Sequence, residues 1–202
     1  MDRRQAIQKE FAAQGIEEDN IHCVNAIHGN TINIANLQAQ GMLENRTLTR
    51  GQIGCYLSHV KAWEQFDQDV TQNYAFVFED DITFIVPDFL EQMVNIIQQL
   101  EENKVQFDVL YLSRNYFGET FHPGFWTGPK VTPNVYKPNH MGGGAHSYVL
   151  SKEGAKKLLI LSKPIKIPLD MMMLHEKTEK LSVHTFMTKA RNWDDSDTAH
   201  II

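Results

Sequence analysis

Cysteine, long apolar runs and clustered basic charge are all scarce in this sequence. Its 202 residues include only two cysteines, Cys23 and Cys55. That number argues against a disulfide-stabilised scaffold and is typical of a reducing compartment, although one disulfide is compatible with it. No apolar run approaches the roughly 20 residues that span a bilayer. The amino-terminal stretch MDRRQAIQKEF lacks the apolar core of a signal peptide, so we expect a soluble, cytoplasmic protein.

The basic residues do not form tracts, and the formal net charge is −6. Affinity for nucleic acid depends on clustered Lys and Arg. Because such clusters are absent from this sequence, nucleic acid is not expected to be the main partner. Hydrophobic residues make up 42% of the chain and charged residues 22%, as in ordinary globular proteins. The sequence contains no internal repeat, low-complexity tract or linker, so we expect one domain over residues 1–202.

Strand patterns alternate with helix patterns along the chain. Apolar periodicity predicts helices over 2–14, 33–40, 51–70, 88–100, 152–161 and 169–178, and strands over 21–27, 74–78, 107–113, 146–150 and 181–187. The long stretch 114–140 is expected to be functional or to contain a hairpin, and the end from 189 onward to be irregular. This alternation predicts an α/β domain with a mostly parallel sheet and helices on both faces.

The stretch NYAFVFEDDITF places three carboxylates, Glu79, Asp80 and Asp81, at the end of an apolar strand. Side chains alternate along a strand, so Glu79 and Asp81 are expected on one face and Asp80 on the other. A bound Mg²⁺ or Mn²⁺ would remove the repulsion between adjacent carboxylates and would suit a nucleotide diphosphate. The alternatives are a solvated turn that merely ends the strand, or a metal-dependent phosphohydrolase.

Several motifs, in order and spacing, resemble glycosyltransferase family 25. LTRGQIGCYLSHVKAWEQF, followed by YAFVFEDDITF, resembles the family's Gly-x-Ile-Gly-Cys-x-x-Ser-His helix and its Glu-Asp-Asp strand end. GGGAHSYVLSKEGAKKLL and IPLDMMM resemble its downstream segments. The likeness extends over nearly the whole chain and includes, among others, Gly51, Ile53, Gly54, Cys55, Ser58, His59, His146, Tyr148, Ser151, Gly154 and Ala155.

The resemblance implies a single GT-A-type domain that transfers a sugar from a UDP-sugar, most simply UDP-galactose, with inversion. It implies a glycan or glycolipid acceptor, as in lipopolysaccharide synthesis, and hence a peripheral position at the inner face of a membrane. Mn²⁺ or Mg²⁺ is expected at Asp81 together with Glu79 or Asp80. The donor site is expected to add Ser58 and His59 to Glu79 and Asp80, and His146 is expected to be catalytic together with Asp170.

Individual residues keep more than one interpretation. Asp170 is either the base that deprotonates the acceptor or the N-cap of a Met-rich helix. Ser58 and His59 are either donor contacts or hydrogen-bonded core neighbours, while Trp63 is expected in the core. The remaining weaker candidates for the site are Arg3, Arg4, Gly142 to Gly144, His175, His184, His200 and Asp197.

Two departures from the family pattern qualify the resemblance. The apolar strand that usually precedes Asp2 and Arg3 is missing, and Gln52 stands where relatives often carry an acid. The missing strand normally helps to hold the nucleotide base. The rival expectation is therefore a truncated, non-catalytic relative that binds glycans or a partner.

Overall fold

The structure is a computed structural model that describes residues 3–113, 127–138, 145–175, 177–183 and 187–190. Six helices are described: α1 (Arg3–Ala13), α2 (Ile34–Ala39), α3 (Arg50–Gln68), α4 (Phe89–Glu102), α5 (Lys152–Leu161) and α6 (Leu169–His175). The eight strands in the described residues are β1 (Tyr74–Phe78), β2 (Ile82–Phe84), β3 (Val109–Tyr111), β4 (Thr127–Thr132), β5 (Val135–Pro138), β6 (Ser147–Ser151), β7 (Lys180–Val183) and β8 (Thr188–Ala190). In these ranges no helix has the length and apolar character needed to cross a bilayer.

The main sheet has six strands in the order β1-β6-β3-β7-β5-β4, and β2 pairs with β8 in a separate two-stranded sheet. The expected α/β class is confirmed, but the expected parallel sheet is wrong. Only β3 and β7 pair in parallel among the described strands; β1 with β6, β3 with β6, β5 with β7 and β4 with β5 are antiparallel. Between β3 and β6 the described residues contain the β4–β5 hairpin and no helix. A parallel neighbour is usually reached through a crossover helix, and β6 instead runs antiparallel to β3.

The two faces of this sheet carry separate apolar clusters. Along β6, Tyr148 and Leu150 belong to one cluster, while Val149 belongs to the other. This alternation follows from the two-residue period of a strand. Helices α3, α5 and α6 supply buried residues to the first cluster, and α1 and α4 supply them to the second. The expectation of helices on both faces is therefore confirmed.

Helix α3 holds the first cluster together. A capping box forms its start: the Thr49 hydroxyl accepts from the Gln52 amide, and the Gln52 side chain accepts from the Thr49 amide. Its buried face runs through Ile53, Tyr56, Val60, Trp63 and Phe66. Tyr56 is buried and Leu57 is only partly so.

Two strand predictions need correction. Residues 21–27 contain a single bridge residue, Val24, and form no strand. The continuous apolar run of β1 is typical of a strand covered on both faces, but β1 is at the edge of the sheet and Phe76 is 38% exposed. By contrast, the expected hairpin within 114–140 is present as β4 and β5. The Ser151 hydroxyl caps α5 by accepting a hydrogen bond from the Gly154 amide. Lys189 and Ala190, expected to be irregular, belong to β8.

The close approach of α3 to the loop before it gives a testable consequence. A Cβ atom at Gly54 would lie 2.5 Å from the Ile27 carbonyl oxygen and 3.1 Å from the Gly29 amide nitrogen. We expect Gly54→Ala to lower the free energy of unfolding by about 2–3 kcal/mol because backbone must move. Urea unfolding measures this change.

Gly51 in the same helix is the matched control. The nearest atom to a Cβ there is the Thr49 hydroxyl at 3.9 Å. Gly51→Ala is expected to leave stability unchanged or to raise it by up to about 1 kcal/mol, because alanine favours helix. Equal destabilisation by both substitutions would contradict the close packing of α3 on the loop at Ile27.

Candidate active site

The three acids lie at one edge of the main sheet, where β1 and β3 end and β6 begins. The Glu79 amide donates to the His146 carbonyl at 2.9 Å, which continues the β1–β6 ladder. The Leu112 amide donates to the Ser147 carbonyl at 3.2 Å, and this brings the end of β3 to the same place. The predicted position of the acids at a carboxyl strand end is therefore confirmed.

Glu79 points towards α3 and ends a chain of buried hydrogen bonds. His59 Nε2 lies 3.3 Å from Glu79 Oε1, and its Nδ1 lies 2.9 Å from the Tyr148 hydroxyl. The Trp63 indole N–H donates to the same hydroxyl at 2.7 Å. His59, Trp63 and Tyr148 are fully buried. The chain anchors Glu79 to two rigid elements, α3 and β6.

One proton arrangement satisfies every member of this chain. Trp63 has only a donor, so the Tyr148 oxygen accepts from it. The Tyr148 hydroxyl then donates to His59 Nδ1, and His59 Nε2–H donates to the Glu79 carboxylate. Burial raises the pKa of Glu79, but the hydrogen bond from His59 and the electrostatic interactions with His59 and His146 outweigh it and lower the pKa overall. Glu79 is therefore held as a carboxylate.

Cys55 and Ser58 lie on the same stretch of α3. The Cys55 thiol donates to Glu79 Oε1 over 3.9 Å. Burial, followed by the charges of Glu79 and Asp170, raises the pKa of this thiol well above its ordinary range. The Ser58 hydroxyl accepts from the Ile27 amide at 2.8 Å and donates to the Gly54 carbonyl at 2.7 Å. These bonds fix the preceding loop on α3, and the role of Ser58 in donor binding stays a prediction.

Asp80 faces the opposite side of the sheet from Glu79. Arg3 Nη1 on α1 donates to Asp80 Oδ1 at 3.3 Å, and the Asp80 side chain is 1% exposed. Arg3 thus lies beside the acidic cluster, as one interpretation of the sequence allowed, but its contact is with a carboxylate. Arg4 is exposed on α1.

Asp81 lies in the turn between β1 and β2 and is half-buried. Burial, together with the charges of Glu79 and Asp80, raises its pKa to about 6, against a smaller lowering effect of Arg3. Its Oδ1 atom is buried and has no hydrogen-bond partner among the described residues. Such an atom is costly to bury as an anion unless a cation or a donor reaches it.

His146 precedes β6 and is 4% exposed. Its Nε2 hydrogen-bonds the Ser113 hydroxyl at the end of β3. Burial lowers the pKa of His146, although the charge of Glu79 works in the opposite direction. His146 thus lies at the same sheet edge as the acids, and its catalytic role stays a prediction.

Asp170 occupies the second position of α6, so it is not the N-cap of that helix. Its Oδ1 accepts from the Met171 amide at 2.9 Å. The Asp170 charge contributes to the raised pKa of the Cys55 thiol, so the carboxylate lies within electrostatic range of that part of α3. Met172 and Met173 are core residues, as expected, while Met171 is 40% exposed.

The structure therefore brings together Glu79, Asp81, His59, His146 and Asp170. His175 is exposed at the end of α6. Gly142 to Gly144, His184, Asp197 and His200 lie outside the described residues. Tyr148 and Ser113 were not predicted to belong to the site. The signal for Tyr148 was its position two residues after His146, within the segment that resembles the family.

Two sets of side chains near Glu79 have the chemistry to hold a cation. The first is the carboxylate set, in which Asp81 and Glu79 offer hard oxygen ligands. The second is Cys55, His59 and Glu79, whose ligand atoms lie within 4.8 Å of one another. Asp80 faces Arg3 instead, so the three acids do not converge on one point.

Comparison with known proteins agrees with this geometry. The family described as glycosyltransferase family 25 (LPS biosynthesis protein) matches residues 1–173. Similar curated proteins include the probable inactive glycosyltransferase 25 family member 3 of Bos taurus, which is 30% identical over 73% of this chain and 25% of its own length. Procollagen galactosyltransferase 1 of Danio rerio is 26% identical over 83% of this chain and 29% of its own length.

Human procollagen galactosyltransferase 2 is 27% identical, over 78% of this chain and 25% of its own length. The chain therefore spans between a quarter and a third of these three curated relatives. The family match itself extends over most of the chain, from the start of α1 into α6, and includes all the site residues described above. This chain belongs to glycosyltransferase family 25.

Proposed function

We propose that this chain is a cation-dependent galactosyltransferase that uses UDP-galactose and a glycan or glycolipid acceptor, with inversion at the anomeric carbon. The observation that carries the proposal is the pair of carboxylates, Glu79 and Asp81, at the end of β1, where the Glu79 amide is bonded to the His146 carbonyl and the charges of Glu79, Asp81 and Asp170 all act on Cys55. Family membership and the galactosyltransferase names of two relatives support the same reaction class. The acceptor and the position at the inner face of a membrane are part of the proposal.

The residues present fit a hard divalent cation such as Mn²⁺ or Mg²⁺. Asp81 has a buried carboxylate oxygen without a hydrogen-bond partner among the described residues. Its raised pKa reflects burial beside Glu79 and Asp80, a penalty that a cation removes. Because Asp80 faces Arg3, Asp81 would hold the ion together with Glu79. When bound, the ion supplies Lewis-acid stabilisation of the departing diphosphate.

The protein's own residues supply the rest of the chemistry. Glu79 is kept ionised and immobile by His59, so its carboxylate is ready to bind the ion or the donor. Asp170 accepts the proton from the acceptor hydroxyl as the hydroxyl oxygen attacks the anomeric carbon and the bond to the UDP oxygen breaks. His146 and Ser113 line the same edge of the sheet, where they are available for donor contacts.

The base assignment predicts a specific kinetic defect for Asp170→Asn. An asparagine oxygen still accepts from the Met171 amide, so α6 keeps its first turn. We expect kcat to fall by about a hundredfold or more, with little change in the affinity for UDP, because only proton removal is lost. Release of UDP from UDP-galactose in the presence of acceptor measures kcat. A variant with full turnover would remove Asp170 from the proposed mechanism.

A second candidate function is glycan or partner binding without catalysis. It is favoured by one finding, namely that a similar bovine protein carries the name of a probable inactive family member. This candidate predicts glycan binding that needs neither UDP nor a cation. The product of turnover also separates the transferase from a phosphohydrolase, because the hydrolase releases inorganic phosphate without an acceptor sugar.

A further inference from the structure

We propose that Cys55, His59 and Glu79 form a second cation site, which takes a thiophilic divalent ion such as Zn²⁺ rather than the hard ion of the carboxylate site. Their Sγ, imidazole nitrogen and carboxylate oxygen lie within 4.8 Å of one another. Cysteine, histidine and a carboxylate are the ligand types that zinc takes in proteins. The carboxylate site, by contrast, offers oxygen alone.

The spacing of the donor atoms already approaches that of a tetrahedral zinc site. Zinc bonds of roughly 2.0–2.3 Å place neighbouring ligand atoms roughly 3.3–3.6 Å apart at tetrahedral angles. His59 Nε2 lies 3.3 Å from Glu79 Oε1, and Cys55 Sγ lies 3.9 Å from the same oxygen. Cys55 Sγ and the His59 nitrogen lie within 4.8 Å of each other, so closing the site requires the thiol to move towards the imidazole by up to about 1 Å.

The elements that carry these ligands are rigid. Cys55 and His59 are four residues apart on α3, so they share a face of one helix. Glu79 follows directly on β1, where its amide is bonded to the His146 carbonyl. On the far side of the ring, His59 Nδ1 contacts the Tyr148 hydroxyl, which fixes the imidazole orientation as outer-shell partners of metal ligands do.

Binding is balanced by the release of one proton. The Cys55 thiol loses its proton to solvent and becomes the thiolate ligand. The proton on His59 Nε2 moves to Nδ1, and the new Nδ1–H donates a hydrogen bond to the Tyr148 oxygen. The hydrogen bond that the Tyr148 hydroxyl had donated to Nδ1 is lost. Three protein ligands leave the fourth position for water.

The consequence for catalysis rests on the proposed function. Glu79 belongs to both sites, so a thiophilic ion bound by Cys55 and His59 withdraws that carboxylate from the hard ion and the donor. Zinc is then expected to inhibit the transferase in the presence of excess Mn²⁺, while Mg²⁺ is not. This would give the chain a means of responding to zinc that depends on a single thiol.

Cobalt titration of the folded full chain tests the site without any nucleotide or turnover. Co²⁺ is the probe because a thiolate ligand produces a near-ultraviolet charge-transfer band and tetrahedral coordination produces intense visible bands. The chain has only two cysteines, and Cys23 is exposed. Cys23→Ser therefore leaves Cys55 as the one thiol, which assigns the band without a substitution in the buried site.

We expect both bands in the wild type and in Cys23→Ser, with one Co²⁺ per chain and displacement by Zn²⁺. Cys55→Ser is expected to lose the charge-transfer band. Absence of the band from the folded wild type, or its loss in Cys23→Ser, would overturn the proposal. Since no UDP is present, these results do not depend on whether the chain is a transferase.

Discussion

Replacing Asp81 with asparagine is expected to abolish sugar transfer and, in the cation-free protein, to raise stability. Loss of the carboxylate removes a ligand for the ion that stabilises the leaving group, so turnover should fall about a hundredfold or more. The same change removes a partly buried anion that lies beside Glu79 and Asp80. At pH 7.5 we expect a gain of about 1–2 kcal/mol in the free energy of unfolding.

The pH dependence of this gain follows from the pKa of Asp81. Its ordinary value is 3.8, and in the folded protein the pKa is about 6. Between these two values the folded state binds a proton that the unfolded state does not, so stability falls as pH rises through this window. The stability difference between Asp81→Asn and the wild type is therefore largest above about pH 6 and closes as the pH approaches 4.

Thermal unfolding in chelator at several pH values and UDP release from UDP-galactose measure the two effects. Asp19→Asn is the matched control, because Asp19 is exposed outside the cluster and its substitution should change neither. A destabilised Asp81→Asn would mean that the carboxylate is an ordinary structural acid. An active Asp81→Asn would remove the residue from the cation site.

Removal of one oxygen atom in Tyr148→Phe is expected to produce the second large effect. The hydroxyl accepts from Trp63 and donates to His59, and all three side chains are fully buried. The substitution leaves an indole N–H and an imidazole nitrogen without their partner, each at a cost of about 1–3 kcal/mol. We expect a loss of about 2–4 kcal/mol in the free energy of unfolding.

The same substitution should also weaken Mn²⁺-dependent donor binding about tenfold, because Glu79 loses the support behind His59. Urea unfolding and UDP titration report the two changes. Tyr74→Phe serves as the control: Tyr74 is half-buried at the start of β1 and stacks on Phe107, so we expect a change of no more than about 0.5 kcal/mol. If Tyr148→Phe and Tyr74→Phe change unfolding and UDP binding to the same extent, the hydrogen-bond chain does not hold Glu79 in place.

The helices and the position of the acids could be predicted from the sequence, because local signals determine both. Helix α3 has its capping box and its apolar period within one segment, and the run YAFVF ends where the carboxylates begin. The opposite directions of Glu79 and Asp80 also follow from strand alternation, since one faces His59 and the other Arg3. In these cases neighbouring residues carry the information.

The sheet directions and the hydrogen-bond partners could not be predicted in the same way. Alternating strand and helix patterns do not specify whether β6 lies parallel or antiparallel to β1. Partners such as His59 and Tyr148 are 89 residues apart in the sequence, and Asp80 pairs with Arg3 from 77 residues away. Their contacts depend on how the strands are ordered, which no local pattern encodes. For residues 21–27 the local pattern gave the wrong structure. Their sequence has strand character, but none of the described strands pairs with them.

We propose that a hard cation on the β1 carboxylates binds the diphosphate of a nucleotide sugar. Isothermal titration of the wild-type chain with UDP, with and without Mn²⁺, tests it most directly. We expect saturable UDP binding with Mn²⁺ and at least about tenfold weaker binding in chelator. Equal UDP affinity under both conditions, or no UDP binding alongside tight glycan binding, would contradict it.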